Sequence, residues 1–364
     1  MSIDLFRRID RIHPYPAKFP VDLALEYIQK YSELNDLVYD PFMGSGTTLL
    51  AASLSGRRSA GTDINHIGVL ISQFKLLFLE KNELEDLHNY INDFECSYAE
   101  KCLTVDLFNY KSISHWFCEN SIRVLSYIKE TISALNSENE QIFCKLVMSA
   151  IINTVSNQES DTRYAAIEKP NMTIEKIAST YIKKFRASLT LFEEYNEIER
   201  NHDHRALLKD SKLCSSFLEK ESVDLILSSP PYINTYDYYL YHKHRMNWLE
   251  YDVAYSMESE IGSRREFSSL KHEESKFNND LKEIFIECDK ILKPHGIVVL
   301  VMGDGRVAGR IYDAKENIND ICESINWHLI DHSFTLLDDT SRSFRQAYRT
   351  KGKKEHILVF QKGK

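Results

Sequence analysis

The sequence lacks the features that identify secreted, membrane-spanning and zinc-binding proteins. Its first residues, MSIDLFRRIDRIHPYP, include no apolar segment of a signal peptide, and no part of the chain approaches the roughly 18 consecutive apolar residues of a membrane span. The 7 cysteines are scattered without a CxxC pair, so we predict neither a metal site nor a disulfide framework. We therefore expect a cytoplasmic protein with reduced cysteines, no membrane partner and no bound metal.

The chain also lacks a net positive charge. Its formal net charge is −9 at pH 7, which excludes the bulk electrostatic attraction by which some proteins coat nucleic acid. Any contact with nucleic acid must therefore come from local basic patches. The 43% of hydrophobic and 27% of charged residues are typical of a globular protein, and the length of 364 residues predicts one core domain with an elaboration.

The order of the predicted elements indicates an α/β fold. The helix-period run VDLALEYIQKYSEL precedes the strand-like run DLVY, a Gly-rich turn, the helix TTLLAASLSG and the strand RSAGTDIN, which is how a parallel, doubly wound sheet begins. Strand-like runs return at VDLILSS, GIVVLVMG and HILVF. The runs WHLIDHSFTLL and HILVF predict an antiparallel pair at the end of a mixed, mostly parallel sheet.

Residues 66–200 consist of long helix-period runs in place of strands. We interpret them as an inserted helical subdomain, with a discontinuous core domain formed by residues 1–65 and 201–364. The insert has more acidic than basic residues and carries most of the negative charge, so its outer surface is not expected to be the main phosphate-binding face. A role in target recognition or in another interaction is open.

The loop DPFMGSGTT, residues 40–48, lies between a predicted strand and a predicted helix. Gly44 and Gly46 permit a tight turn close to a ligand, and the free amides at the start of the helix favour an anionic or zwitterionic group. The loop lacks the Lys of GxxxxGK and does not match GxGxxG, which disfavours nucleoside triphosphates and dinucleotides. For the loop alone, a turn without any ligand is the alternative.

Asp63 ends the second predicted strand, where a carboxylate can accept hydrogen bonds from both ribose hydroxyls of a nucleoside. A solvated strand end is the alternative for an isolated Asp. Farther along, VDLILSSPPY places Ser229, Pro230, Pro231 and Tyr232 at the carboxyl end of a strand, where open α/β sheets bind ligands. The two prolines fix φ and predict a rigid turn that presents backbone carbonyls.

Together, DPFMGSGTT and SPPY resemble the signature of the DNA methyltransferases that methylate exocyclic amino groups, at cytosine N4 or adenine N6. HPYPAKFP is similar to the segment upstream of the cofactor loop in that family, and ILKPHGIVVLVMGD is similar to a late core strand. The resemblance covers most of the chain outside residues 66–200. It implies a Rossmann-like fold, S-adenosylmethionine as the cofactor, double-stranded DNA as the partner and a flipped base as the target.

The resemblance also implies a role for each matching residue. Asp40, Phe42, Gly44 and Gly46 would surround the methionine part of S-adenosylmethionine. Asp63 would hold the ribose, Ile64 would pack on the adenine, and Asp210 would accept from the adenine amino group unless it is a surface-loop acid. The remaining cofactor positions are Lys18 and Pro20, and the catalytic positions are Ser229, Pro230, Pro231 and Tyr232.

In the implied reaction, the Ser229 hydroxyl and the Pro230 carbonyl accept the amino hydrogens of the flipped base, and Tyr232 stacks on its ring. Ser in the first position of this motif is associated with cytosine N4, although some SPPY enzymes methylate adenine N6. Asp237 is a candidate second hydrogen-bond partner. Cytosine C5 methylation is disfavoured because it needs a nucleophilic Cys after Pro, and the sequence has no Pro-Cys pair.

Three alternatives remain beside a cytosine-N4 enzyme of a restriction-modification or defence system with a cognate endonuclease. The first is a DNA adenine-N6 methyltransferase. The second is a tRNA guanine-N2 methyltransferase, which usually carries DPPY and an N-terminal RNA-binding domain, for which the start of the loop at residue 40 leaves no room. The third is an inactive nucleic-acid-binding subunit.

Two segments contain candidate DNA contacts. SRSFRQAYRTKGKK is basic without an acid, and it is our first choice for phosphate contacts. TYDYYLYHKHRMNWLEY combines aromatic residues with cations, which suits unpaired bases, although core packing is an equal alternative. The candidates are Lys243, Arg245, Arg342, Arg345, Arg349, Lys351, Lys353 and Lys354, with Arg264, Arg265 and the Arg163–Tyr164 pair as weaker ones.

Overall fold

The computed structural model describes residues 3–18, 20–161, 163–170, 172–336 and 352–363. The predicted DNA contacts Arg342, Arg345, Arg349 and Lys351 lie outside the described residues. Among the described residues, no helix is both long enough and apolar enough to cross a membrane. The chain forms two compact units: unit 1 is Met1–Ala17, Gln73–Glu199 and Leu240–Val253, and unit 2 is Lys18–Ser72, Arg200–Tyr239 and Ala254–Lys364.

The strands follow one another in the order β1 (Leu37–Asp40), β2 (Arg58–Asp63), β3 (Gln158–Ser160), β4 (Arg163–Ala166), β5 (His204–Leu208), β6 (Val223–Ser228), β7 (Leu292–Gly303), β8 (Gly305–Val307), β9 (Arg310–Tyr312), β10 (Trp327–Leu336) and β11 (Lys354–Lys362).

The α-helices are α1 (Ile3–Asp10), α2 (Val21–Tyr31), α3 (Thr47–Leu54), α4 (His66–Leu76), α5 (Lys81–Thr104), α6 (Ile113–Trp116), α7 (Glu119–Ser133), α8 (Glu138–Ile152), α9 (Ile174–Asn196), α10 (Tyr238–Trp248), α11 (Val253–Ser259), α12 (Glu274–Ile291) and α13 (Ala314–Glu323). A 3-10 helix spans Ser211–Ser216 and a π-helix spans Arg265–Ser269.

Unit 2 contains a seven-stranded sheet in the order β10-β11-β7-β6-β1-β2-β5. The five strands from β7 to β5 are parallel to their neighbours, and β11 is antiparallel to both β7 and β10. The predicted mostly parallel sheet and its antiparallel final pair are therefore confirmed. The direction of winding reverses between β1 and β6, and open sheets of this kind bind ligands outside the carboxyl ends of the strands at such a point.

Helix α12 covers part of this sheet because its apolar residues recur at helical spacing. Phe277, Leu281, Ile284, Cys288 and Ile291 are all buried, and they belong to the same core as the inner residues of β6 and β7. Burial of a large apolar side chain stabilises a fold by about 1.5–3 kcal/mol. This layer fixes the two strands whose carboxyl ends carry the SPPY segment and the glycines opposite it.

Unit 1 is helical, with the small β3–β4 hairpin attached. Its core contains a chain of aromatic rings in which Phe143 of α8 lies 5.2 Å from Phe74 of α4 and 5.2 Å from Phe185 of α9. The unit differs from the predicted insert 66–200 because two further pieces of chain, one before and one after it in the sequence, belong to the same unit. The first 17 residues join it because Phe6 of α1 packs edge-on against Tyr195 of α9, and Leu240–Val253 join it through the second half of α10.

Arg245 explains why α10 belongs to unit 1. Its side chain is fully buried, with Nε donating to the Ser149 carbonyl oxygen of α8 at 3.0 Å and Nη1 to the Tyr241 carbonyl oxygen at 3.3 Å. Its Nη2 pairs with Asp161 in the turn of the β3–β4 hairpin. Arg245 therefore joins two helices and a hairpin inside the protein, and this position is unsuited to the predicted contact with DNA phosphates.

The pairing of Arg245 with Asp161 should contribute measurably to stability. Asp161→Asn leaves a buried guanidinium without its carboxylate, and we expect the free energy of unfolding in urea to fall by about 2 kcal/mol. This is less than for a fully buried pair because the Asp161 side chain is 39% exposed. The control is Glu159→Gln in the same hairpin, which removes the more exposed pair with Arg163 and should change stability by less than about 1 kcal/mol. Equal effects of the two variants would contradict this assignment.

Candidate active site

The DPFMGSGTT loop is a tight connection from β1 to α3. Gly46 has a φ of +75°, and its amide donates to the Met43 carbonyl oxygen at 2.7 Å. A Cβ atom on Gly46 would lie 2.5 Å from the Ser72 Oγ of α4. The same hydroxyl donates to the Gly44 carbonyl oxygen at 3.1 Å. The loop therefore has no room for a side chain at position 46, and its backbone is held against α4.

Asp63 at the end of β2 fixes the loop from the other side. Its Oδ2 accepts from the Gly44 amide at 2.8 Å, and its Oδ1 accepts from the Asn65 amide at 2.7 Å. Burial raises the pKa of Asp63 to about 6, although these backbone donors act in the opposite direction. The carboxylate is thus ionised at neutral pH, and each oxygen has a further lone pair that can accept from a ligand.

Asp40 joins the loop to the segment after β6. It is buried, and its Oδ1 accepts from the Ser228 hydroxyl at 2.6 Å and from the Phe42 amide at 3.0 Å. Burial raises the pKa of Asp40 to about 6. Because Ser228 directly precedes Ser229, this hydrogen bond sets the distance between the two signature motifs. Phe42, in the loop, is partly buried.

Helix α11 contacts Ile64 and carries a residue that the sequence analysis missed, Tyr255. The Asp210 and Asp63 carboxylates both contribute, after burial, to a raised pKa of Tyr255. The Ser256 hydroxyl, one residue farther on, donates to the Ile64 carbonyl oxygen at 3.3 Å. Asp210 also accepts from the Lys212 amide at 2.9 Å, which caps the 3-10 helix. No motif in the sequence marks Tyr255.

The SPPY segment follows β6 and contacts the neighbouring strand β7. The Ser229 hydroxyl donates to the Val301 carbonyl oxygen at 3.2 Å, which leaves the lone pairs of its oxygen as acceptors. The Tyr232 hydroxyl donates to Glu355 Oε1 at 2.7 Å. Gly303 and Gly305 make room for this segment, since a Cβ on Gly303 would lie 2.4 Å from the Tyr232 ring, and one on Gly305 would lie 2.1 Å from Ile233. Pro230 and Pro231 separate the two side chains.

The segment after Tyr232 is held by a second missed residue, Glu260. Its carboxylate is buried and accepts from the Tyr238 amide at 2.7 Å and the Tyr239 amide at 3.0 Å, where α10 begins. Burial raises the pKa of Glu260 to about 8. Asp237 Oδ1 accepts from the Arg265 amide at 3.0 Å, so in this structure its carboxylate serves the backbone.

The DNA methylase family N6_N4_Mtase matches residues 6–73 and 223–364, more than half of the chain. The chain belongs to this family. The matched residues include the loop of Gly44 and the segment of Ser229, and they leave out most of the helices of unit 1.

Three proteins similar to this chain are named Type II methyltransferases. M.MvaI of Kocuria varians is 29% identical over 242 residues, covering 61% of this chain and 52% of M.MvaI. M.MjaII of Methanocaldococcus jannaschii is 21% identical over 389 residues, covering 82% and 72%, and M.BsoBI of Geobacillus stearothermophilus is 26% identical over 255 residues, covering 62% and 49%. The chain spans about half the length of M.MvaI and M.BsoBI.

The chemistry of the site fits S-adenosylmethionine, the methyl donor of this methylase family. The donor carries a sulfonium, an ammonium and a nucleoside, and the site offers the carboxylates of Asp40 and Asp63, whose burial is less costly beside a cation. Asp63 has free lone pairs for hydroxyl donors, and the loop has no Lys or Arg that would select a phosphate.

The other predicted residues stand apart from these contacts. Pro20 is exposed at the start of α2 and Lys18 is partly buried, so their place beside the cofactor stays a prediction. In unit 1, the Lys243 Nζ lies 5.7 Å from the centre of the Tyr164 ring, and the exposed Arg163 pairs with Glu159.

Two predicted contacts of the basic segment, Lys353 and Lys354, are among the described residues. Lys353 is buried, and Lys354 Nζ lies 4.7 Å from the centre of the Phe334 ring.

Asp304, Asp313 and His356 place possible metal ligands within 4.8 Å of one another. Asp304 Oδ1 accepts from the Ala314 amide at 3.0 Å and Oδ2 from the Lys354 amide at 2.8 Å. These bonds account for the position of Asp304 as a link between β7, α13 and β11.

A methyl group at position 46 should weaken cofactor binding. Gly46→Ala creates the clash with Ser72, and we expect the dissociation constant of S-adenosylmethionine, measured by calorimetry, to rise at least tenfold. The matched control is Gly309→Ala, because Gly309 also has a positive φ, of +82°, with nothing within 4 Å of a Cβ. Both variants incur a left-handed backbone cost of roughly 1–2 kcal/mol. Loss of affinity in both would show that backbone strain alone is responsible.

Cofactor affinity should also depend on pH through Asp63. With a pKa of about 6, the Asp63 carboxylate is ionised above this pH and becomes protonated below it. We expect a constant dissociation constant above pH 7 and a rise of up to about tenfold for each pH unit below pH 6. Asp40, whose pKa is also about 6, adds to this dependence. Asp40→Asn should therefore retain only the part that Asp63 causes, whereas Asp63→Asn should bind weakly at every pH. A pH-independent affinity in the wild type would contradict the role of Asp63.

Proposed function

We propose that this chain is an S-adenosylmethionine-dependent DNA methyltransferase that methylates the exocyclic amino group of a flipped base, with cytosine N4 as its preferred target. The observation that carries the proposal is the 2.6 Å hydrogen bond from Ser228 to Asp40. It joins the loop that fits the methyl donor to the segment that offers acceptors to an amino group. Family membership supports the same chemistry.

In this proposal, the binding site for S-adenosylmethionine is built from unit 2. Asp63 accepts from the ribose hydroxyls, Ile64 packs on the adenine, and Asp210 accepts from the adenine amino group beside Tyr255. The methionine part lies along the loop of residues 40–48, where the carboxylates offset its positive charge. When bound, S-adenosylmethionine supplies an electrophilic methyl group.

The remaining chemistry belongs to the SPPY segment. An exocyclic amino group is a poor nucleophile because its lone pair is delocalised into the ring of the base. The Ser229 oxygen and the Pro230 carbonyl oxygen accept the two amino hydrogens, so the nitrogen lone pair turns out of the ring plane. Tyr232 holds the ring, and positioning provides most of the rate enhancement. A nitrogen–carbon bond then forms as the carbon–sulfur bond breaks, and one amino proton leaves to solvent.

The choice of base rests on Ser229. A hydroxyl in the first position of the motif favours cytosine N4, with adenine N6 as the second candidate. The relatives named Type II methyltransferases support a restriction-modification context, and we extend the proposal to a cognate endonuclease as partner. The tRNA guanine-N2 activity and the inactive subunit remain as outcomes of the test below.

The test is methyl transfer from labelled S-adenosylmethionine to mixed-sequence duplex DNA and to tRNA, followed by nucleoside mass spectrometry. We expect N4-methylcytosine in DNA and a loss on the order of 100-fold in Ser229→Ala, as when one positioned hydrogen-bonding group is removed from an active site. The control is Ser216→Ala, since the exposed Ser216 hydroxyl likewise donates to a backbone carbonyl oxygen, that of Leu213, at 2.7 Å.

Each other outcome changes a named part of the proposal. N6-methyladenine in DNA would keep the mechanism and replace the base. Label found only in RNA would overturn the substrate. Binding of S-adenosylmethionine without transfer to either nucleic acid would favour the inactive subunit.

A further inference from the structure

We propose that Glu355 is a positioning residue that holds the Tyr232 ring, and through it the Ser229 hydroxyl, in the geometry required for methyl transfer. This inference rests on the proposed function. Glu355 lies on β11, 123 residues after Tyr232 and outside both signature motifs. It acts through Tyr232 and is not itself expected to touch the substrate.

The first argument is the path of the Tyr232 side chain. The ring lies directly on the backbone of β7 at Gly303, as the 2.4 Å approach of a Cβ built there demonstrates. In the antiparallel register, Glu355 of β11 is the partner of Gly303. Directly opposed residues in such a pair present their side chains on the same face of the sheet. The tyrosine therefore crosses one strand, and its hydroxyl meets the Glu355 carboxylate on the next strand at 2.7 Å.

The second argument is the strength of this contact. A hydrogen bond from a neutral donor to a carboxylate is roughly twice as strong as one between neutral groups. Burial and the Glu355 carboxylate both raise the pKa of Tyr232, so the phenol keeps its proton and remains the donor. The ring is thus restrained at two points, by Gly303 against its face and by Glu355 at its oxygen.

The third argument connects this restraint to Ser229. Ser229 begins the same SPPY segment, and its side chain acts to lower the pKa of Tyr232. The Ser229 hydroxyl also donates to the Val301 carbonyl oxygen on β7. Glu355 therefore holds one end of the SPPY segment through Tyr232, and Val301 holds the other end through Ser229, the acceptor proposed for the amino group of the base. Loss of Glu355 leaves the Tyr232 hydroxyl without its acceptor and frees the end of the segment that carries Ser229.

The test compares Glu355→Ala, Glu355→Gln and Tyr232→Phe in single-turnover methyl transfer to duplex DNA. We expect Glu355→Ala and Tyr232→Phe each to lower the rate about tenfold, and the double variant to be no slower than either single variant. Glu355→Gln, which keeps an acceptor oxygen, should stay within about threefold of the wild type. Affinity for S-adenosylmethionine should change less than twofold. The control is Glu323→Ala, which removes an exposed carboxylate of unit 2 and should have no effect.

A second measurement is independent of activity. In protein labelled with fluorotyrosine, the Tyr232 resonance is assigned by its loss in Tyr232→Phe, and we expect it to shift in Glu355→Ala and in no comparable way in Glu323→Ala. An unchanged resonance, or additive effects of Glu355→Ala and Tyr232→Phe on the rate, would overturn the inference. If the wild type transfers no methyl group, the proposed function fails, and the resonance still decides whether Glu355 holds Tyr232.

Discussion

The hydrogen bonds of the Asp63 carboxylate connect the ends of two neighbouring parallel strands, and the geometry of the candidate site depends on them. They pair the amides of Gly44 and Asn65, which would otherwise be left unsatisfied in a tight loop. Asp40 continues the connection to the next strand by accepting from Ser228. Both carboxylates are ionised against the cost of burial. A cation beside these carboxylates would lower the cost of keeping them ionised, which suits a positively charged methyl donor.

Two consecutive serines, Ser228 at the end of β6 and Ser229 at the start of the SPPY segment, have different partners. Side chains alternate in direction along a strand, so Ser228 points to Asp40 and the donor loop while Ser229 points to the carbonyl of Val301 on the neighbouring strand. Ser228 fixes the segment, and Ser229 is the acceptor that we propose for the amino group of the base. The prolines that follow prevent the chain from relaxing into a regular strand, so the alternation ends at the point where the acceptor is needed.

The elements that could be predicted from the sequence are those whose cause is local. The loop around Gly46, the strand before Ser229 and the antiparallel final pair all follow from periodicity, glycines and prolines within a few residues. Long-range partners have no such signal. Arg245 looked like a surface cation because its partner, Asp161, lies 84 residues earlier. Glu355 was missed for the same reason, since it meets Tyr232 only after the sheet has formed, and Glu260 was missed because its partners are backbone amides 21 and 22 residues earlier.

Helix α10 begins at Tyr238 in unit 2 and ends at Trp248 in unit 1, so the helical unit cannot be exchanged as one continuous piece of chain. A deletion that joins Ser72 to Arg200 would remove Ser149 and the other partners of the α10 side chains, leaving a bare guanidinium and an uncovered indole. Chimeras that transplant this unit between relatives must therefore carry three pieces of sequence together. Recombination that moves only the middle piece would separate α10 from the residues that bury its side chains.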